Sequence, residues 1–321
     1  MQPQTTRREF FAQAAGACLT ALGAARWCGA TAPAGNGPHS DLTPAAGKPS
    51  GDSPMKAIDI LKFFHDRAPW IQSMDTVDRI IVGDGDKPVR RVLVTWMPTL
   101  AAVRHAIDGG YDMLMAHEPT FYDHRDYRDN PQDLKTVAVA KAKKKLIEDS
   151  GLVIVRNHDT WDVFPEVGIA YAWGQFLGFG NKPAKIGGGN YMHRYDIAAT
   201  TLDELAGRVA ARVASLGEDA VQVVGDGGQT VSKVGTGCGC AANPATFQSM
   251  GCDVSIVTDD GTRYWGELQR AEDEGHPFIR VHHGTSEEPG MVTLTEYINA
   301  NIPGVQADHL PHRPMYRTVR A

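Results

Sequence analysis

Met113-Leu114-Met115-Ala116-His117-Glu118, preceded by Val92-Leu93-Val94-Thr95 and a helical stretch from Leu100 to Asp108, decides the fold class. Two short apolar runs separated by one amphipathic helix form a strand–helix–strand unit, and repetition of that unit predicts an α/β protein. The unit ends on a histidine and a carboxylate. Working outward, Asn130 and Pro131 open a predicted helix that runs to Ser150, where Gly151 stops it. Its basic run, Lys141 to Lys145, reads as a solvated helix face. Leu152-Val153-Ile154-Val155 follows as a strand, with His158 just beyond it.

From Lys182 to Val231 the character changes to a Gly-rich loop, a strand at Ile197 to Thr200, a helix opened by a Thr201/Glu204 capping box, and the strand Val221 to Val224. This segment reads as an inserted smaller α/β lobe. The core pattern then resumes with Val254 to Val257, a helix from Tyr264 to Glu274, the strand Phe278 to Val281, a helix from Val292 to Asn301, and an edge strand at Val305 to Asp308. The expected architecture is therefore a mixed-sheet α/β core built from residues 55–181 and 232–321, with the inserted lobe at 182–231.

Three strands end in metal-ligand residue types. His117-Glu118 follows the first, His158 and Asp162 the second, and His283 with Glu287 the third. In open α/β sheets ligands collect beyond the carboxyl ends of strands, so loops far apart in sequence converge there. His158-x-x-x-Asp162 and His283-x-x-x-Glu287 each place an imidazole and a carboxylate about one turn apart. Mixed nitrogen and oxygen donors suit Zn, Mn, Fe or Co rather than Ca or a thiolate site. Only His283 of the adjacent His282-His283 pair has Glu287 at the matching spacing, which leaves His282 as a neighbour able to contact substrate. His105, His124, His193, His276, His309 and His312 read as ordinary hydrogen-bonded histidines.

At the N-terminus, Thr6-Arg7-Arg8-Glu9-Phe10-Phe11 precedes an Ala/Gly/Leu-rich stretch and small residues near Ala30, the pattern of a twin-arginine signal over 1–32. Residues 33–54, rich in Pro, Gly, Ser and Ala, read as a disordered linker. Loss of the signal removes three arginines and one glutamate, taking the formal charge from −6 to −8. A mildly acidic body without a basic tract argues against nucleic acid as partner. No second apolar stretch is long enough to span a membrane, so the expected location is periplasmic or secreted. Cys18 and Cys28 fall in the signal, leaving Cys238, Cys240 and Cys252. An odd number at these spacings is no disulfide framework, and Cys238 and Cys240 read as small residues of a Gly-rich turn, with a bridge from either to Cys252 left open.

The run MLMAHEPTFY from Met113 to Tyr122 resembles the His-His-Pro segment of the NGG-interacting factor three-like dinuclear metal centre family, also described as GTP cyclohydrolase I type 2 homologues. His158 to Asp162 is similar to its His-x-x-x-Asp loop and His283 to Glu287 to its late His-x-x-x-Glu motif, in the family's order, from about Lys56 to Asp308. The resemblance implies two divalent metal ions held by His117, Asp162, His283 and Glu287. Asp162 and Glu287 would bridge, and His158 would act as ligand or orienter. It also implies a homohexamer.

Three departures accompany it. Glu118 stands where the family has a second His, and as a harder donor it favours Mn or Fe. Thr258-Asp259-Asp260 replaces Thr-Gly-Glu, and the Gly-rich turn carries Cys238 and Cys240. The implied activity is hydrolysis of an unidentified small molecule by metal-activated water, with His158, His282 and Asp260 as proton carriers. A non-catalytic metal-binding ring or scaffold is the alternative. A GTP cyclohydrolase-like activity ranks third, since Gly187-Gly188-Gly189 lacks the Lys-Ser/Thr of a phosphate loop.

Overall fold

The computed structural model describes residues 54–319; the twin-arginine signal and all of the linker but Pro54 lie outside the described residues. In chain order the strands are β1 (Met55–Lys56), β2 (Arg79–Val82), β3 (Pro88–Val89), β4 (Arg91–Thr95), β5 (Met113–Ala116), β6 (Val153–Arg156), β7 (Lys185–Gly187), β8 (Met192–Thr201), β9 (Gln222–Val224), β10 (Thr230–Gly237), β11 (Val254–Thr258), β12 (Phe278–Val281) and β13 (Gln306–His309). They form two large mixed sheets interleaved with helices, so the fold is α/β. The first sheet has the order β13-β4-β5-β6-β2 and the second β7-β8-β10-β11-β12-β9, with β1 and β3 as a separate antiparallel pair.

Each sheet has parallel strands at its centre and an antiparallel strand on at least one edge. In the first, β13, β4, β5 and β6 run parallel and β2 closes the edge in the opposite sense. In the second, β10, β11 and β12 run parallel, and β8 and β9 flank them antiparallel. Parallel strands covered on both faces leave no position open to solvent, which is why Met113–Ala116 and Val254–Thr258 are buried throughout. Alternate residues of one strand feed different cores. Met113 and Met115 pack with Val153, Val155, Trp161 and Leu294, whereas Leu114 and Ala116 pack with Val103, Ala106 and Ile147.

The second sheet crosses the expected division of the chain. Of the strands assigned from the sequence to the 55–181 plus 232–321 domain, β11 pairs with β10 and β12, and β12 also pairs with β9 from within the 182–231 segment. The boundary at 231/232 falls inside β10. Strand pairing is non-local: Val234 faces Tyr195 on one side and Val254 on the other, a choice no local composition change records.

Several helices also differ from expectation. The helix expected from Asn130 to Ser150 is two pieces, Pro131–Leu134 and Ala138–Ser150, and Asn130 makes no side-chain cap. The Tyr264–Glu274 segment is a π-helical turn, Tyr264–Leu268, followed by Gln269–Glu274. The last long helix spans His283–Asn301 rather than starting at Val292. Gly284, Pro289 and Gly290 disguise its first turns, and the two glycines have packing reasons to be there. A Cβ on Gly290 would lie 2.4 Å from Ile169 of the crossing helix Ile169–Phe176, and the Gly290 carbonyl accepts a 2.7 Å hydrogen bond from Trp161 Nε1. The capping box at Thr201 and Glu204 is present as expected.

Candidate metal centre

The carboxyl ends of five parallel strands deliver the chemistry-bearing residues: β5 gives His117 and Glu118, β6 gives His158 to Asp162, β10 gives Cys238, β11 gives Asp259 and Asp260, and β12 gives His282 and His283. Backbone hydrogen bonds fix each loop before its side chains meet. The amides of His117 and Glu118 both donate to the Trp96 carbonyl, at 3.1 and 2.8 Å. Buried Asp78 accepts from the amides of His158, Asp159 and Thr160 at 2.6, 2.9 and 2.8 Å, which holds the short helix Asp159–Asp162 at its start. Asp259 accepts from the His283 amide at 2.8 Å and so plays the same part at the start of His283–Asn301.

His117 lies at the centre and is fully buried. Its Nε2 is 3.4 Å from Asp162 Oδ1 and 3.3 Å from Glu287 Oε2. The other oxygen of Glu287 is 3.0 Å from His283 Nε2, and the other oxygen of Asp162 is 3.2 Å from His158 Nδ1. Each carboxylate thus joins His117 to a second histidine. Glu118 completes the second side, with Oε1 3.4 Å from His283 Nε2. The His117 and His158 rings stack at 4.3 Å.

These residues fit a divalent cation. Three overlapping groups each place their ligand atoms within 4.8 Å of one another: His117, His158 and Asp162; His117, Glu118 and Glu287; and Asp162, Cys238 and Glu287. His117 Nε2 is buried without a hydrogen-bond partner although it points at two carboxylates, an orphan that a cation would satisfy. Around them Trp96 Nε1 donates to Glu287 Oε2 at 2.7 Å. Buried Arg156 donates to the His117 carbonyl at 2.9 Å and places its guanidinium 3.6 Å from Glu118. These contacts orient the donors from outside.

Burial and neighbouring charge pull the titratable groups of the cluster in opposite directions. Burial alone would lower the His158 imidazole, but the Asp162 charge and the Asp159 hydrogen bond outweigh it and carry it up to about 10. For His283 burial is likewise outweighed, by Glu287, Asp260 and Glu118, and the ring stays protonated far above its ordinary range. Burial pushes Asp162 up, while the His283 and His117 charges overcome burial and hold Glu287 well down.

All five residues expected as ligands, His117, Glu118, Asp162, His283 and Glu287, come together. Of the three expected proton carriers, His158 lies inside the cluster. Asp260 sits at its rim, with Oδ2 3.4 Å from the outer nitrogen of His283. His282 is directed elsewhere: its Nδ1 is 3.0 Å from Asp259 Oδ2, and its ring stacks on Tyr316 at 5.0 Å. Sequence reasoning missed Trp96, Arg156 and Cys238. The first two act through contacts distant in the chain, but Cys238 carried a legible signal, because it too directly follows a strand. Cys238, Cys240 and Cys252 are all free thiols, so the bridge to Cys252 is not formed.

The family described as Duf34/NIF3 (NGG1p interacting factor 3) matches residues 55–312. Among solved structures, the Staphylococcus aureus hypothetical protein SA1388 superposes with a TM-score of 0.67 at 17% identity, covering 83% of this chain and 100% of that one. A Bacillus cereus protein related to NIF3 gives 0.65 at 17% identity, covering 83% and 99%. Reduced HcgD from Methanocaldococcus jannaschii gives 0.61 at 18%, covering 80% and 98%. At these identities the likeness shows the fold. No curated protein sequence matches. With a family match across nearly all of the described residues and the same fold in its solved members, the chain belongs to the NIF3 family.

Proposed function

We propose that the chain is an exported metal-dependent hydrolase with a dinuclear centre. The observation that carries this reading is the buried, unpartnered His117 Nε2 between two carboxylates, each of which reaches a further histidine. One cation would take His117, His158 and Asp162, and the other Glu118, His283 and Glu287, with Asp162 and Glu287 shared. Bound divalent cations supply Lewis-acid polarisation and activation of water near neutral pH. Of the chain's own residues, Asp260 at the rim orients His283 through its outer nitrogen, and Trp96 fixes the Glu287 oxygen nearer His117. Asp260 is the group placed to move a proton at the rim of the cluster, whereas His282 is held by Asp259 and stacked on Tyr316.

The twin-arginine pattern at Arg7-Arg8 supports export of the folded chain to the periplasm or beyond, with the metals acquired beforehand. Among the described residues no helix is long and apolar enough to cross a membrane. Self-assembly into a hexamer belongs to the same proposal. The test is turnover by metal-loaded protein on a panel of phosphoesters, amides and nucleotides. Hydrolysis of one class, abolished by His117→Ala, is expected. Absence of turnover with metals demonstrably bound would overturn the hydrolase and favour a ring that stores metal or serves as scaffold.

A further inference from the structure

We propose that Cys238 supplies a thiolate ligand to the metal centre, which makes it a mixed nitrogen, oxygen and sulfur site; this deepens the metal-centre reading and rests on it. Cys238 is 2% exposed and follows β10 directly. Its sulfur and the carboxylate oxygens of Asp162 and Glu287 lie within 4.8 Å of one another, so it faces the two residues shared between the cation positions. The fully buried and unpartnered Nε2 of His117 points into the same space, between the same two carboxylates.

The turn after Cys238 is built for close approach. Gly239 adopts a left-handed φ of +53°, and a Cβ there would lie 2.8 Å from both His283 Nε2 and Glu287 Oε1. Thr258 Oγ1 pins that turn by donating to the Gly239 carbonyl at 2.6 Å. The backbone therefore passes directly against His283 and Glu287, between a buried Cys238 and an exposed Cys240. A cysteine that served only as a small apolar filler would be placed against hydrocarbon. This one belongs to the buried apolar cluster that also holds Trp96 and Trp161, yet its sulfur lies beside two carboxylates. Anions gathered there call for a cation, and coordination releases the thiol proton to solvent.

A sulfur donor changes the expected metal. Glu118 alone shifts preference toward Mn or Fe, whereas a thiolate favours Zn, Co or Fe over Mn. X-ray absorption on the zinc-loaded wild-type chain is expected to show a sulfur neighbour at about 2.3 Å. Cobalt-loaded wild type and Cys240→Ser should show an intense near-ultraviolet thiolate-to-cobalt absorption, and Cys238→Ser should lose it while still binding cobalt. Metal bound with no sulfur neighbour, or an absorption that survives Cys238→Ser and vanishes with Cys240→Ser, would overturn the assignment and leave the metal centre standing. A chain that binds neither zinc nor cobalt would overturn both.

Discussion

The short helix Asp159–Asp162 after the first sheet and the opening of His283–Asn301 after the second carry the same pair, a histidine and a carboxylate four residues apart, yet present it differently. His158 turns one nitrogen, Nδ1, toward both Asp159 and Asp162, at 3.0 and 3.2 Å. His283 turns Nε2 inward to Glu287 and Glu118 and rests Nδ1 against Asp260. The spacing determines which residues meet. The third residue determines which nitrogen is presented, and only His283 has the outer carboxylate that typically orients a metal-bound imidazole.

Four variants would break or sharpen that contrast. Glu287→Ala should have the largest effect, because Glu287 joins His117 to His283 and also receives Trp96; metal content is expected to fall close to zero. Retention of both metals would show that the second turn is not the anchor. His283→Ala should follow, with a loss of affinity larger than that of His158→Ala, since His158 shares its nitrogen between two carboxylates. Equal losses in titration calorimetry would erase the distinction between the turns. Asp260→Asn should weaken metal binding by about tenfold through disorientation of His283, with the fold unchanged.

The smallest effect is in pH and belongs to the second sheet's own stability. Burial lowers the fully buried His193 of β8 to about 4, so between that value and the unfolded 6.5 the unfolded chain binds more protons. Stability is therefore complete above 6.5 and falls as pH drops toward 4, by roughly 3 kcal/mol. His193→Gln should flatten that slope in denaturant titrations.

Much of the fold was legible because strand identity is local. Runs such as Met113–Ala116 and Phe278–Val281 announce themselves by composition, and the residues directly after them include His117, Glu118 and His283 of the cluster. Sheet membership was not legible, since β9 lies beside β12 through pairing across more than fifty residues of chain. The start of the last helix was hidden by Gly284, Pro289 and Gly290, and the glycines answer to contacts with Trp96, Ile169 and Trp161 rather than to helix propensity. Cys238 was readable as a residue at a strand end, but nothing local separates a ligand from a filler in a glycine-rich turn. Its neighbours Asp162 and Glu287 come from the loops after other strands.

The central claim is that two cations occupy the cluster around His117. Elemental analysis of the purified chain, expressed as metal per chain, tests it most directly. About two per chain is the predicted result, falling toward zero in Glu287→Ala; a value near zero in the wild-type chain after reconstitution would contradict it.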